Sequence, residues 1–132
     1  KNIIWHGYTD NPRQAILDSV IFVLPSYKEG LSLALLEACM LERAIITTAI
    51  DGNMEIIENH QNGLLVPSKD VDKLRIAIQT LLDDEKLRTQ LAKSARKTYL
   101  KQFNFSEIVE HKFIPLYYNL PIDNNKNLKQ EV

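Results

Sequence analysis

Short, continuous runs of Ile, Val, Leu and Phe alternate with amphipathic stretches through the first half of the chain. Ile3–His6, Val20–Leu24, Ala44–Thr48 and Gly63–Val66 show no apolar/polar alternation. Strands covered on both faces read this way, so the pattern predicts four parallel strands. Between them, Pro12–Ser19, Leu31–Leu41 and Asn53–Asn59 carry helical patterning and supply the crossovers of βαβ units. The predicted fold class is α/β, a doubly wound Rossmann-like parallel sheet.

After Val66 the period changes. Pro67-Ser68-Lys69-Asp70 is a turn and cap signal, and Val71, Leu74, Ile78, Leu81 and Leu82 follow at helical spacing. A second helix is predicted over Asp83–Phe103, with Leu87, Leu91, Ala95 and Tyr99 in one stripe. A third starts at Asn104, with Glu107 placed as in a capping box, and is kinked by Pro115. The expected organisation is a Rossmann-like domain over residues 1–104, a kinked C-terminal helix over 105–120 and a frayed tail over 121–132. Four strands make a thin sheet, so neighbouring strands are expected upstream of Lys1, in a longer protein.

Composition narrows the partners. The 132 residues carry 16 Lys+Arg against 17 Asp+Glu, a formal net charge of −1, and no global field steers the chain toward nucleic acid. The lone Cys39 excludes an intrachain disulfide framework and points to a reducing, cytoplasmic setting. The apolar run Val20–Leu24 is stopped by Pro25, far short of the roughly 20 residues that span a bilayer.

In an open parallel sheet, ligands collect beyond the carboxyl ends of the strands, which selects the loops Gly7–Asn11, Pro25–Gly30 and Ala49–Asn53. The second is the richest in chemistry. It passes from strand to helix through Glu29-Gly30-Leu31-Ser32, and the unpaired amides and positive dipole of a helix starting there suit a phosphate. Glu29, just before that terminus, either helps cap the helix or points at a ligand's hydroxyl groups. Glu37 lies eight residues on, about 9 Å along the helix from Leu31, where a carboxylate can take the vicinal hydroxyls of a ribose.

The spacing alone is weak, and the surrounding blocks carry the assignment. Val23-Leu24-Pro25-Ser26-Tyr27-Lys28-Glu29-Gly30-Leu31-Ser32-Leu33-Ala34-Leu35-Leu36-Glu37-Ala38 resembles the E-x7-E signature of retaining glycosyltransferases with the GT-B fold. Ala44–Thr48, Gly52–Ile57, Asn62–Pro67 and Asp70–Leu82 resemble that family's next blocks in order, so the likeness spans about Ile3 to Leu120. It implies the donor-binding, C-terminal half of a sugar transferase that uses a nucleotide-diphosphate sugar, with no cofactor and no metal. By the same resemblance, Glu29 contacts the donor sugar and is the catalytic-site carboxylate. The amides of Gly30, Leu31 and Ser32 approach sugar and diphosphate, Glu37 holds the ribose, Gly7-Tyr8 lies near the base, and Gly52-Asn53 borders the site. The acceptor-binding N-terminal domain and the basic pair that neutralises the diphosphate have no counterpart in these residues, so the chain alone is expected to be inactive. Ser32, Glu42, Ala44 and Asp51 stand where the family commonly has Gly, Gly, Pro and Gly.

Other residues read more plainly. Asp70-Val71-Asp72 mimics a metal-binding D-x-D, but two acids in a helix's first turn are what the dipole favours. His6 reads as a pocket-rim residue, and His60 and His111 have no partner spacing for metal or nucleophile chemistry. Cys39 reads as core. The predicted helix around Glu85–Lys101 carries Lys86, Arg88, Lys93, Arg96, Lys97 and Lys101 against one acid, either a solvated face or a peripheral contact with anionic lipid at the inner face of a membrane. The rival to a transferase is a non-catalytic α/β module for nucleotide binding or protein interaction.

Overall fold

The computed structural model describes residues 3–109. In chain order it contains α1 (Pro12–Asp18), β1 (Ile21–Leu24), α2 (Leu33–Met40), β2 (Ala44–Thr48), α3 (Asp51–Met54), β3 (Leu64–Val66), α4 (Val71–Asp83), α5 (Glu85–Gln102) and α6 (Phe105–Ile108). The three strands pair in parallel in the order β1-β2-β3, with Leu24 opposite Thr47 and Thr48 opposite Val66. No helix among the described residues is long and apolar enough to cross a membrane.

Strand parity divides the core in two, which is why the strands read as continuous apolar runs. Phe22, Leu24, Ile45 and Leu65 face Leu35, Ala38 and Cys39 of α2 on one side of the sheet. Ile21, Val23, Ile46, Leu64 and Val66 face Leu74, Ala77, Ile78 and Leu81 of α4 on the other. Helices therefore cover both faces, as a doubly wound sheet requires. Helix α5 joins the two cores, placing Leu87, Leu91 and Ala92 in one and Ala95 and Tyr99 in the other. Its arginines fasten it to the helices that end beneath the sheet: Arg88 donates to the carbonyl of Leu81 at 2.7 Å, and Arg96 to that of Met40 at 2.9 Å.

Local chemistry sets the helix ends. Asn11 caps α1 ahead of Pro12, and Asp70 and Asp84 cap α4 and α5 by accepting from the amides of Lys73 and Leu87. Helix α2 closes in a Schellman motif, in which the Glu42 amide donates to the Cys39 carbonyl and the Arg43 amide to the Ala38 carbonyl, each at 3.0 Å.

The structure corrects the expectation of four strands. Ile3–His6 forms no strand among the described residues, and Ile3, Ile4 and Trp5 stand 88%, 78% and 91% exposed. A strand exists only through a ladder, and no described neighbour provides one there. The predicted helix over Asn53–Asn59 is instead the single turn α3, starting two residues earlier. Asn104 precedes α6 as foreseen, but its side chain makes no capping bond. The kink at Pro115, His111 and the tail over 121–132 lie outside the described residues.

Candidate functional site

The carboxyl ends of β1, β2 and β3 bring three loops to one edge of the sheet, and hydroxyl groups of β2 tie them together. Thr47 Oγ1 donates to the Leu24 carbonyl at 2.8 Å, and Thr48 Oγ1 donates to the Ser26 carbonyl at 2.6 Å. Both threonines are buried, so their hydroxyls hold the β1–α2 loop against β2 in place of water. Asn53 completes the lattice. Its Nδ2 donates to Thr47 Oγ1 at 2.7 Å and to the Thr48 carbonyl at 3.1 Å. A carbonyl accepts only from the nitrogen, so these contacts fix which way the amide points.

Within that frame, Glu29 sits at the bend. Ser26 Oγ donates to Glu29 Oε1 at 2.7 Å, a bond across three residues that holds the carboxylate in the loop. Of the two roles the sequence leaves open for Glu29, capping is not the one observed. The N-cap of α2 is Ser32, whose side chain makes no capping bond, and no other side chain among the described residues accepts from the amides at that end. The first backbone bond of α2 runs from the Leu36 amide to the Ser32 carbonyl, which leaves the amides of Leu33, Ala34 and Leu35 without an acceptor among the described residues.

Gly52 explains how the β2–α3 loop reaches this corner. A Cβ on Gly52 would stand 2.0 Å from the Gly30 carbonyl oxygen and 2.7 Å from that of Glu29. The two backbones therefore meet at a contact only hydrogen can occupy. Glu37 lies on the exposed side of α2 together with Leu33 and Ala34, roughly 6 Å along the axis from Leu33. The structure thus assembles Ser26, Glu29, Gly30, the start of α2 and Gly52, with Glu37 farther up the same helix.

Other expected residues fall differently. Gly7 adopts the left-handed conformation of a turn (φ +65°), but Tyr8 stands 92% exposed and makes no hydrogen bond to the 26–32 loop. Asn53 borders the corner, yet its fully buried side chain works within the fold; its Oδ1 has no partner among the described residues. Ser32 is buried, and its hydroxyl does not cap α2. Asp70 is spent as a cap, and Asp72 lies 3.8 Å from Arg75. Cys39 is fully buried, and burial pushes its thiol from 9.0 up to about 12.

Lys69 is not among the residues that the sequence motifs single out. Its ammonium stands 5.9 Å from the centre of the Tyr27 ring, so the β3–α4 loop brings a positive charge to the rim of the corner. The signal was present in the turn Pro67-Ser68-Lys69-Asp70, at the same end of β3. A cavity of about 330 Å³ lies toward the other end of the sheet, lined by Glu55, Glu58, Asn62, Thr98 and Gln102 among others. Asn62 there donates to the Ile56 carbonyl and to Thr98 Oγ1 and accepts from the Glu58 amide, so its polar groups serve the fold.

Comparison with known proteins adds an independent observation. A family model described as Glycosyl transferases group 1 matches residues 1–98. The chain is 41% identical over 97 residues to N,N'-diacetylbacillosaminyl-diphospho-undecaprenol alpha-1,3-N-acetylgalactosaminyltransferase of Campylobacter jejuni, covering 74% of this chain and 25% of that protein. It is 29% identical over 123 residues to UDP-Gal:alpha-D-GlcNAc-diphosphoundecaprenol alpha-1,3-galactosyltransferase of Escherichia coli, covering 93% of this chain and 31% of that one. Among solved structures, a Staphylococcus aureus TarM variant in complex with UDP matches with a TM-score of 0.79 and 26% identity, over 88% of this chain and 24% of that chain. The chain spans only 25% to 31% of the length of these two curated relatives.

Proposed function

The chain belongs to the glycosyl transferases group 1 family, and on that premise we propose that it is the donor-binding part of a retaining transferase. The donor is a nucleoside-diphosphate sugar and the acceptor a glycan or a lipid-linked sugar. The observation that carries this reading is the uncapped start of α2, set beside a carboxylate that Ser26 holds in the loop. Free amides and the helix dipole suit the diphosphate, whose charge grows as it leaves. One oxygen of Glu29 is engaged by Ser26, and the carboxylate retains capacity to accept from a sugar hydroxyl. Glu37, on the exposed side of the same helix, suits the ribose. Support for a uridine donor comes from the relatives: one is named for UDP-Gal, and the TarM variant is solved with UDP.

In this reading the bond from the sugar's anomeric carbon to the diphosphate breaks while the acceptor hydroxyl forms its new bond on the same face. The hydroxyl proton leaves with the departing phosphate oxygen, and no protein nucleophile takes part. Further basic residues and the acceptor site come from outside these 132 residues, and Lys69 adds charge at the rim. We place the enzyme on the cytoplasmic side, where nucleotide sugars are available.

Calorimetric titration of the chain with UDP- and GDP-sugars, beside Glu37→Ala, tests the reading. Weak binding by the parent that the substitution abolishes is the expected result. Equal binding by both proteins, or none by the parent, favours the non-catalytic module instead.

A further inference from the structure

Net positive charge is concentrated on one helix. Helix α5 carries six basic residues against Glu85, a formal +5, in a chain whose net charge is −1. The structure separates these six by role. Arg88 and Arg96 are committed to the carbonyls of Leu81 and Met40 and so build the fold. Lys86, Lys93, Lys97 and Lys101 do not: all four are exposed, and no carboxylate among the described residues lies within ion-pair distance of their ammonium groups.

Helical geometry places the four lysines within an arc of about 80°, over a length of about 22 Å. The buried residues Leu91, Ala92 and Ala95 occupy the opposite side of the helix. The lysine arc holds no acid, and Leu100, about 20° beyond its edge, is 42% exposed. Because α5 is bound to the carbonyl ends of α2 and α4, it lies at the edge of the sheet away from Glu29, Gly30 and Gly52.

We propose that the lysine face of α5 is a docking surface for an anionic phospholipid bilayer. A straight row of ammonium groups on a rigid, packed helix matches a flat layer of phosphates, and each such charge near an anionic bilayer raises partitioning about fivefold. With little apolar surface to insert, the contact is electrostatic, reversible and weakened by salt. It leaves the edge bearing Glu29 and the start of α2 clear of the membrane. The inference stands on the charge distribution and does not depend on the transferase reading.

Co-sedimentation with large unilamellar vesicles tests it. The chain is mixed with phosphatidylcholine vesicles, pure or containing about 30 mol% phosphatidylglycerol, at about 50 mM and about 500 mM salt. Binding is expected only with phosphatidylglycerol at low salt. It should fall about fivefold for each lysine replaced in the series Lys86→Gln, Lys93→Gln, Lys97→Gln, Lys101→Gln. Lys73→Gln on α4 should bind like the parent, and unchanged thermal melts should show that every variant folds. Equal sedimentation with both vesicle types, or a fourfold variant that binds like the parent, overturns the proposal. So does retention on heparin that survives the salt step while vesicle binding is absent, which would mark a soluble polyanion as the partner.

Discussion

The Gly52 α-carbon is packed so closely on the Gly30 peptide that an added methyl group would lie 2.0 Å from the Gly30 carbonyl oxygen. Glycine inside an exposed helix ordinarily gains about 1 kcal/mol on replacement by alanine. Here the clash is with backbone that the Thr48–Ser26 bond holds in place, so overpacking of about 1–3 kcal/mol outweighs the gain. Gly52→Ala is therefore predicted to lower the urea midpoint and to weaken nucleotide binding, because relief of the clash must move Gly30. Urea unfolding followed by circular dichroism, with a UDP titration, checks both.

At Glu42 the opposite sign is expected. This residue ends α2 at the position of the Schellman motif that favours glycine, and it adopts φ +55°. Its carboxylate lies 3.8 Å from Arg96 Nε, with both side chains well exposed, so that pair is worth only a few tenths of a kcal/mol. Release of the left-handed strain, worth about 1 kcal/mol, is the larger effect. Glu42→Gly should raise the unfolding midpoint by a few degrees in a thermal melt.

Cys39 makes stability sensitive to alkali. Burial raises its folded pKa to about 12 from 9.0, so between these values the folded chain holds a proton that the unfolded chain has lost. This contribution is complete below pH 9 and is lost at about 1.4 kcal/mol per pH unit as the pH rises toward 12. Comparing the parent with Cys39→Ala in urea titrations across that range should show a steeper loss for the parent. The native thiol should also resist a disulfide reagent at pH 8 and react once the chain is unfolded.

Much of this architecture is written in the local pattern. β1, β2 and β3 are legible because strands covered on both faces leave unbroken apolar runs, α4 because a turn and cap signal at Pro67–Asp70 precedes its stripe, and α5 through the stripe Leu87, Leu91, Ala95 and Tyr99 alone. Ile3-Ile4-Trp5 has the same composition and forms no strand, since apolar character states that a segment wants cover and not which ladder supplies it. The loop bearing Glu29 was legible from the rule for parallel sheets and from a family's motif. The bonds that shape it were not: Thr48 to Ser26 and Gly52 against Gly30 join positions 22 residues apart in both cases, through the register of β1 on β2. Asn53 shows the converse, a polar residue suited to a ligand by type that the fold takes for itself.

If a nucleotide's phosphates meet the amides at the start of α2, a nuclear magnetic resonance titration of the 15N-labelled chain with UDP will register it residue by residue. Saturable shifts are expected at Gly30, Leu31, Ser32 and the first turn of α2, extending to Glu37 and Gly52, while the lysine face of α5 stays still. Shifts gathered instead around Glu55, Asn62 and Thr98, or saturating UDP that leaves the start of α2 unmoved, would contradict it.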